Sequence, residues 1–94
     1  MVLCSKSYSE EQSLVKKARE GDITEILSYI EPLGFEIMQI YNIPTAKKVQ
    51  DLLLEDALMK SLELYKLEYK IKFSTYFTWF MKTAAENYLS NSSS

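Results

Sequence analysis

The sequence contains no histidine and only one cysteine, and these shortages exclude whole classes of chemistry. Without histidine, the common zinc sites and the serine–histidine and cysteine–histidine nucleophile pairs cannot be assembled. Cys4 has no partner for an intrachain disulfide, which is typical of a reducing cytoplasm. Adjacent carboxylates such as Glu10 and Glu11 are weak signals on their own. We therefore expect no enzyme activity, no metal and no cofactor.

Glycine, proline and long apolar runs are also scarce. The 94 residues include two glycines and two prolines, and no apolar run approaches the roughly twenty residues of a membrane-spanning helix. With 47% apolar residues, the composition predicts one compact all-α domain and no membrane partner. Because the net charge is −2, any contact with DNA is expected to be local or assisted by a larger assembly.

Capping and breaking residues divide the chain into a bundle of about four helices. The first is expected to run from a capping box at Ser9 to residue 20, with Gly21 as its stop. Asp22 is expected to cap a second helix. Pro32 predicts that this helix either bends or splits in two near residues 31–34. The helical domain is expected to span residues 9–89, between a flexible N-terminus (1–8) and a polar tail (90–94).

The third and fourth helices are expected over residues 46–65 and about 74–89. Thr45 would cap the third helix, and Ser74 or Thr75 the fourth. At helical spacing, each presents an apolar face to the core. The faces are Val49, Leu52, Leu53, Ala57, Leu58, Leu62 and Tyr65 in the third helix, and Phe73, Phe77, Phe80, Met81, Ala84 and Tyr88 in the fourth.

Trp79 falls outside the apolar face of the fourth helix, among Thr75, Lys82 and Glu86. A helix that needed only a core would have no physical reason to place its largest apolar ring there. Two interpretations follow from the spacing. Either another part of the chain covers the indole, or the indole is presented to a partner.

Residues 72–82 read KFSTYFTWFMK, and this run resembles the signature of region 2 of bacterial RNA polymerase sigma factors of the housekeeping type. The turn at residues 18–22, AREGD, is similar to the Ala-x-x-Gly-Asp turn that often opens this region. The likeness extends loosely over about residues 11–89. It implies the helical fold of region 2, a role in transcription initiation, and an indole that faces outward.

The resemblance also implies a set of DNA-binding residues. In the family, region 2 captures a base flipped from the nontemplate strand of the promoter's minus-ten element. Rings that stack on unpaired bases, with cations along the backbone, are what single-stranded DNA requires. The alternative is that the tyrosines are ordinary amphipathic residues at a helix junction. The residues assigned to DNA are Tyr65, Lys70, Lys72, Tyr76, Trp79, Phe80, Lys82 and Thr83.

The chain departs from the family after the paired aromatic residues. Lys82, Thr83, Glu86 and Asn87 stand where housekeeping members place Arg, Gln and further polar or basic residues. Glu86 would meet duplex phosphates with the wrong sign, which argues against duplex recognition at the upstream edge of the element. Melting and single-strand capture could survive this change.

Residues 51–56, DLLLED, resemble the family's Asp-Leu-x-Gln-Glu surface, which docks on the clamp helices of the polymerase beta-prime subunit. The resemblance implies polymerase contacts by Asp51, Leu54 and Glu55, with Leu54 where Gln is usual. Asp51 and Glu55 lie one helical turn apart and suit a basic partner helix. The alternative is a solvated acidic face on an acidic protein.

The family's domain for the minus-35 element has no counterpart in these residues. The chain is therefore expected to be either a fragment of a longer sigma factor or a stand-alone region 2 that works with a second sigma subunit. An anti-sigma factor could also be a partner. A function of another class is a sigma-like interaction module that binds polymerase or a regulator without touching DNA.

Overall fold

In the computed structural model, which describes residues 6–43 and 46–92, the chain forms four α-helices and one short 3₁₀ helix. The helices are α1 (Tyr8–Arg19), α2 (Thr24–Ile40), α3 (Lys47–Leu64) and α4 (Phe73–Ser92), and the 3₁₀ helix spans Leu67–Tyr69. The described residues contain no strand, so the predicted all-α bundle of about four helices is confirmed. None of these helices is long and apolar enough to cross a membrane.

Helix α1 begins earlier than predicted. Ser7, and not Ser9, is its N-cap: the Ser7 hydroxyl accepts the Glu10 N–H at 3.3 Å, and the Glu10 carboxylate accepts the Ser7 N–H at 3.1 Å. The predicted box at Ser9 was wrong because Gln12 instead donates to the Tyr65 hydroxyl. Gly21 follows the helix with φ +113°, a conformation that L side chains rarely adopt, so the predicted stop is confirmed.

Helix α2 is a single element despite Pro32. Pro32 cannot donate to the Ser28 carbonyl, but both residues are exposed, so water can satisfy that carbonyl. The Asp22 carboxylate accepts the Thr24 N–H at 3.2 Å, although the N-cap itself is Ile23. Gly34 is buried where α2 meets α3 and α4. A Cβ at this position would collide with the Leu54 side chain, which explains why the residue is glycine.

The apolar face of α3 differs from the prediction at two leucines. Leu54 is 2% exposed and belongs to the core, whereas Leu52 is 62% exposed. The buried positions of this helix include Ser61, whose hydroxyl donates to the Leu58 carbonyl at 2.9 Å. A polar residue therefore occupies a core position, which shifts the true face away from the one read from apolar residues alone. The predicted Thr45 cap lies outside the described residues.

Helix α4 contacts the other three helices and contributes Phe73 and Phe77, two of the largest fully buried side chains of the described residues. The predicted face is confirmed: Phe73, Phe77, Met81 and Ala84 are buried, and Phe80 and Tyr88 are partly buried. The helix continues past residue 89 to Ser92. The predicted cap was wrong, because Ser74 lies inside the first turn and is buried.

Candidate nucleic-acid and partner surfaces

Five aromatic rings form a continuous chain of contacts from the core to the surface. Tyr76 lies at its centre, with its ring centroid 5.4 Å from that of Tyr65, 5.7 Å from Tyr69, 5.8 Å from Trp79 and 5.1 Å from Phe80. Successive positions 76, 79, 80 and 83 share one side of α4, which is why the rings meet. We call Tyr69, Tyr76, Trp79 and Phe80 the aromatic cluster.

Trp79 is the most accessible ring of this cluster. The residue is 53% exposed, and Tyr69, which also contacts Tyr76, is 45% exposed. The planes of Trp79 and Tyr76 meet at 60°, so the two rings are not stacked face to face. The expectation that the indole lies off the core and faces outward is confirmed.

Tyr76 and Phe80 are partly buried; Tyr76 contacts both exposed rings, and Phe80 packs against Tyr76. Burial raises the pKa of the Tyr76 hydroxyl above its usual value, and the neighbouring Tyr69 adds to this shift. Like any tyrosine hydroxyl, this one is protonated at neutral pH and can act as a hydrogen-bond donor, and the shift keeps the proton in place further into alkaline pH.

Tyr65 does not belong to the accessible surface. The ring is 1% exposed and packs edge-on against Phe73 at 5.3 Å. Its hydroxyl donates to the Ile71 carbonyl at 2.5 Å and accepts from the Gln12 amide at 2.6 Å, and burial raises its pKa. The prediction that Tyr65 stacks on a base needs correction: with both faces inside the protein, this ring can only support Tyr76.

The lysines near the cluster fall into two groups. Lys70 and Lys82 are exposed, and Lys70 has φ 55°, in the left-handed region. Lys72 is instead held at 3.6 Å from the Glu11 carboxylate, and it is only partly exposed.

Two further polar residues lie on α4 near Trp79. The Thr83 hydroxyl donates to the Trp79 carbonyl at 3.0 Å, so its hydrogen bond lies within the helix surface. Glu86 is exposed two turns beyond Trp79, on the same side of α4.

The second surface lies on α3. Asp51 and Glu55 are exposed as expected, and with Lys47 and Glu31 they edge a groove whose floor is formed by Ile23, Leu27, Leu54 and Leu58. Leu54 is buried in that floor, so its prediction as an accessible contact needs correction. The apolar side chains next to the two acids are Leu52, 62% exposed, and Met59, 48% exposed. We call Asp51, Leu52, Glu55 and Met59 the α3 surface.

Three polar residues of α1 that the sequence did not single out contact the connection between α3 and α4. Glu11 is 1% exposed and accepts from Ser74 and Tyr29. Gln12 donates to Tyr65, and Arg19 donates to two carbonyls at the end of α3. All three lie on or beside the side of α1 that carries the buried Val15 and Ala18. Their position on the apolar side of α1 is the signal by which the sequence could have identified them.

No family model, curated protein or solved structure matches this chain. The resemblance to sigma factors therefore stays a prediction from the sequence, as do the functions it implies. Among the residues that the structure describes, no group of three or more histidines, cysteines or acids is placed to hold a metal ion.

Proposed function

We propose that this domain acts in transcription initiation as a sigma region 2: it docks on RNA polymerase through the α3 surface and holds the unpaired nontemplate strand of the minus-ten element on the aromatic cluster. The observation that carries the proposal is the exposed indole of Trp79, which rests against Tyr76 at 5.8 Å. Burying it would have been favourable, so its exposure is consistent with a contact that another molecule completes.

The aromatic cluster has the parts that single-strand capture needs. Stacking of a base on an aromatic ring is worth about 1–3 kcal/mol, and it tolerates any base because every base has a π-face. Trp79 and Tyr69 supply accessible rings, Tyr76 contacts both of them from the partly buried side, and Phe80 supports Tyr76. Glu86 departs from the family pattern in a way that disfavours contact with duplex phosphates. Single-strand capture by stacking does not need that contact, so it is compatible with Glu86.

Cations beside the cluster would follow the DNA backbone. Lys70 and Lys82 are exposed, and Lys66 precedes the 3₁₀ helix on the same connection. Lys72 is assigned a different role from the predicted one, because its ammonium already faces the Glu11 carboxylate. We expect it to order the first turn of α4 and to contribute less to phosphate binding than Lys70.

The α3 surface combines charge with apolar area. Asp51 and Glu55 would steer a basic partner helix, while apolar contact supplies most of the affinity at an interface. The sequence assigned that apolar contact to Leu54, which is buried. Leu52 and Met59 are exposed beside the two acids and take its place in the proposal.

A second candidate function is an interaction module that binds polymerase or a regulator without DNA. The observation that favours it is the exposed Leu52 and Met59 on a helix with an acidic edge, in a chain whose net charge is −2. Both candidates require the α3 surface. They differ in whether the aromatic cluster meets DNA.

The fluorescence of Trp79, the only tryptophan, separates the two candidates. Single-stranded DNA of minus-ten sequence is added to the domain alone and to the domain bound to polymerase core. Quenching, or a blue shift of the emission, is expected because a stacked base covers the indole. The Trp79→Phe variant, followed through labelled DNA, is the matched control, since it keeps a ring at the same position. Unchanged emission in both conditions would favour the interaction module.

A further inference from the structure

Side chains of α1 make several hydrogen bonds to the segment that connects α3 to α4. We call residues 62–74 the junction; it includes the end of α3, the 3₁₀ helix and the first residues of α4. It carries Tyr69, Lys70 and Lys72, and it determines where α4, with Tyr76 and Trp79, begins. Any residue that fixes the junction therefore fixes the base of the aromatic cluster.

Glu11 contacts the start of α4 with both of its carboxylate oxygens. Oε1 accepts the Ser74 backbone N–H at 2.9 Å, and Oε2 accepts the Ser74 hydroxyl at 2.8 Å and the Tyr29 hydroxyl at 2.6 Å. The first N–H groups of a helix have no partner within that helix, and its N-terminus carries a partial positive charge. The carboxylate of α1 therefore does the work at the start of α4 that a local cap would otherwise do.

Lys72 completes this arrangement. Its ammonium lies 3.6 Å from Oε2 of Glu11, whose side chain is 1% exposed. A buried carboxylate is stable only when its charge is compensated and its oxygens accept hydrogen bonds. Glu11 meets both conditions through groups on α4, on α2 and on the residue before α4.

Gln12 and Arg19 hold the other end of the junction. The Gln12 amide donates to the Tyr65 hydroxyl at 2.6 Å. The Arg19 guanidinium donates to the Leu62 carbonyl at 2.8 Å and 3.2 Å, and also to the Tyr65 carbonyl. Free carbonyls at the C-terminal end of a helix favour a cation. Arg19 therefore supplies hydrogen bonds to carbonyls at the end of α3 and fixes the point at which the chain leaves this helix.

We infer that Glu11, Gln12 and Arg19 are positioning residues: they form a polar clasp by which α1 sets the geometry of the junction and, through it, of the aromatic cluster. The assignment of that cluster to unpaired DNA rests on the proposed function. The clasp itself rests on the contacts above and is testable without DNA. It gives α1, which contributes no ring to the cluster, control over the cluster's shape.

Amide hydrogen exchange of the whole chain tests the clasp. In Glu11→Ala, we expect the amides of the junction to exchange about tenfold faster or more, while amides in the centres of α2 and α3 keep their protection. Acetate should partly restore protection, because it can occupy the vacated site between Ser74, Tyr29 and Lys72. Glu20→Gln, an exposed carboxylate at the end of α1, is the matched control and should leave the pattern unchanged.

The result that would overturn the clasp is exchange that accelerates equally in all helices, since Glu11 would then contribute only to global stability. Unchanged exchange in the junction would overturn it as well. If Glu11→Ala does not fold, Arg19→Met carries the test, because Arg19 is an exposed residue whose loss leaves no buried charge. Faster exchange should then be confined to the end of α3 and residues 65–71.

A second measurement links the clasp to the proposed function. In Glu11→Ala, single-stranded DNA should bind at least about fivefold more weakly, the loss of part of one stacking contact. Binding to polymerase through the α3 surface should be unchanged. If the unmodified domain does not bind DNA, the proposed function fails while the exchange result still decides the clasp. Equal DNA binding by both proteins, together with a loosened junction, would show that the clasp does not position the cluster.

Discussion

Trp79 is the residue on which the proposed strand capture depends most. Trp79→Ala should weaken single-stranded DNA binding by the equivalent of about 1–3 kcal/mol, the value of one base–ring stack. Because the residue is 53% exposed, the free energy of unfolding should fall by less than about 1 kcal/mol. Fluorescence anisotropy of labelled DNA and urea unfolding measure the two effects. A loss of stability of several kcal/mol with unchanged DNA binding would make the indole a structural residue.

A substitution at Lys70 distinguishes the effect of backbone strain on stability from the effect of charge on DNA binding. Lys70 adopts φ 55°, a left-handed conformation that is costly for a residue with a side chain and easy for glycine. Lys70→Gly should therefore raise the free energy of unfolding by up to about 1 kcal/mol. DNA binding should fall, because one cation is lost. Lys66→Ala, which removes a charge from the same connection without relieving strain, is the comparison; a stability gain there would contradict the explanation.

The buried hydroxyl of Tyr65 predicts a dependence of stability on alkaline pH. Its pKa is raised in the folded protein, so the folded state keeps the proton after the unfolded chain has begun to lose it. The stabilisation is complete below about pH 10, the value for an unfolded tyrosine, and is lost as pH rises through the folded pKa.

Tyr65→Phe isolates this effect because phenylalanine cannot ionise. Near neutral pH the variant should be less stable by about 1 kcal/mol, since the bonds to Gln12 and Ile71 are lost. The difference between the two proteins should shrink above about pH 10. Urea unfolding followed by far-ultraviolet circular dichroism at several pH values gives both numbers. A difference that stays constant with pH would contradict the assignment.

Individual residues differed in how far the sequence could place them. Spacing relative to Phe77 and Met81 placed Trp79 off the core face of its helix but left open whether another part of the chain covers it, and the outward-facing indole was implied by the resemblance. Leu54 was left out of the predicted apolar face although it is buried, and Tyr65 was placed in that face correctly but was also assigned to DNA through the resemblance. At the edge of an apolar face, tertiary contacts decide burial: α2 covers Leu54 at Gly34, and Gln12 with Ile71 satisfies the Tyr65 hydroxyl.

At the scale of elements, α3 packs one side into the core, and its other side carries the surface proposed to bind a partner. Its buried side includes Leu54, Leu58 and Leu62, while Asp51 and Glu55 remain in water. Asp51→Lys should reduce binding to the polymerase clamp helices by about tenfold or more, since like charges across an interface are costly. The fold should be unaffected. Glu63→Lys, the same reversal at another exposed position of α3, is the control, and equal loss in both variants would point to net charge rather than to a defined surface.

The existence of the four helices was readable from the sequence, and their caps were not. Helical periodicity and breakers such as Gly21 act locally, so they predict the elements well. Ser74 looked like a cap because of its type alone, whereas Ser9 has Gln12 at the spacing of a capping box, but Gln12 donates to Tyr65 instead. Ser7 has Glu10 at the correct spacing, and Ser74 is recruited into α4 by a carboxylate 63 positions earlier, Glu11. No local rule contains that second contact.

For the whole molecule, the balance of charge limits what the domain can do alone. A chain with a net charge of −2 and a pI near 5.1 cannot bind DNA by broad neutralisation of phosphates. The proposed site needs little neutralisation of phosphates, because stacking is independent of salt and only a few lysines lie on the connection and on α4. The α3 surface is acidic and suits a basic partner, so the proposal assigns a different molecule to each of the two surfaces.

This balance predicts how DNA binding responds to salt. If Lys66, Lys70 and Lys82 each neutralise one phosphate, the logarithm of the binding constant for single-stranded DNA should fall with the logarithm of salt with a slope of about −2. Lys82→Gln should reduce the slope by about 0.7, whereas Lys72→Gln should change it little because Lys72 faces Glu11.

Titrations with labelled single-stranded DNA at several salt concentrations give these slopes. Polymerase core should make the slope steeper without removing the effect of Trp79→Ala, because the larger assembly adds cations while the stacked ring remains in this domain. A steep slope for the domain alone, equally reduced by every lysine substitution, would indicate diffuse electrostatic binding. Capture of a single strand on the aromatic cluster would then be wrong.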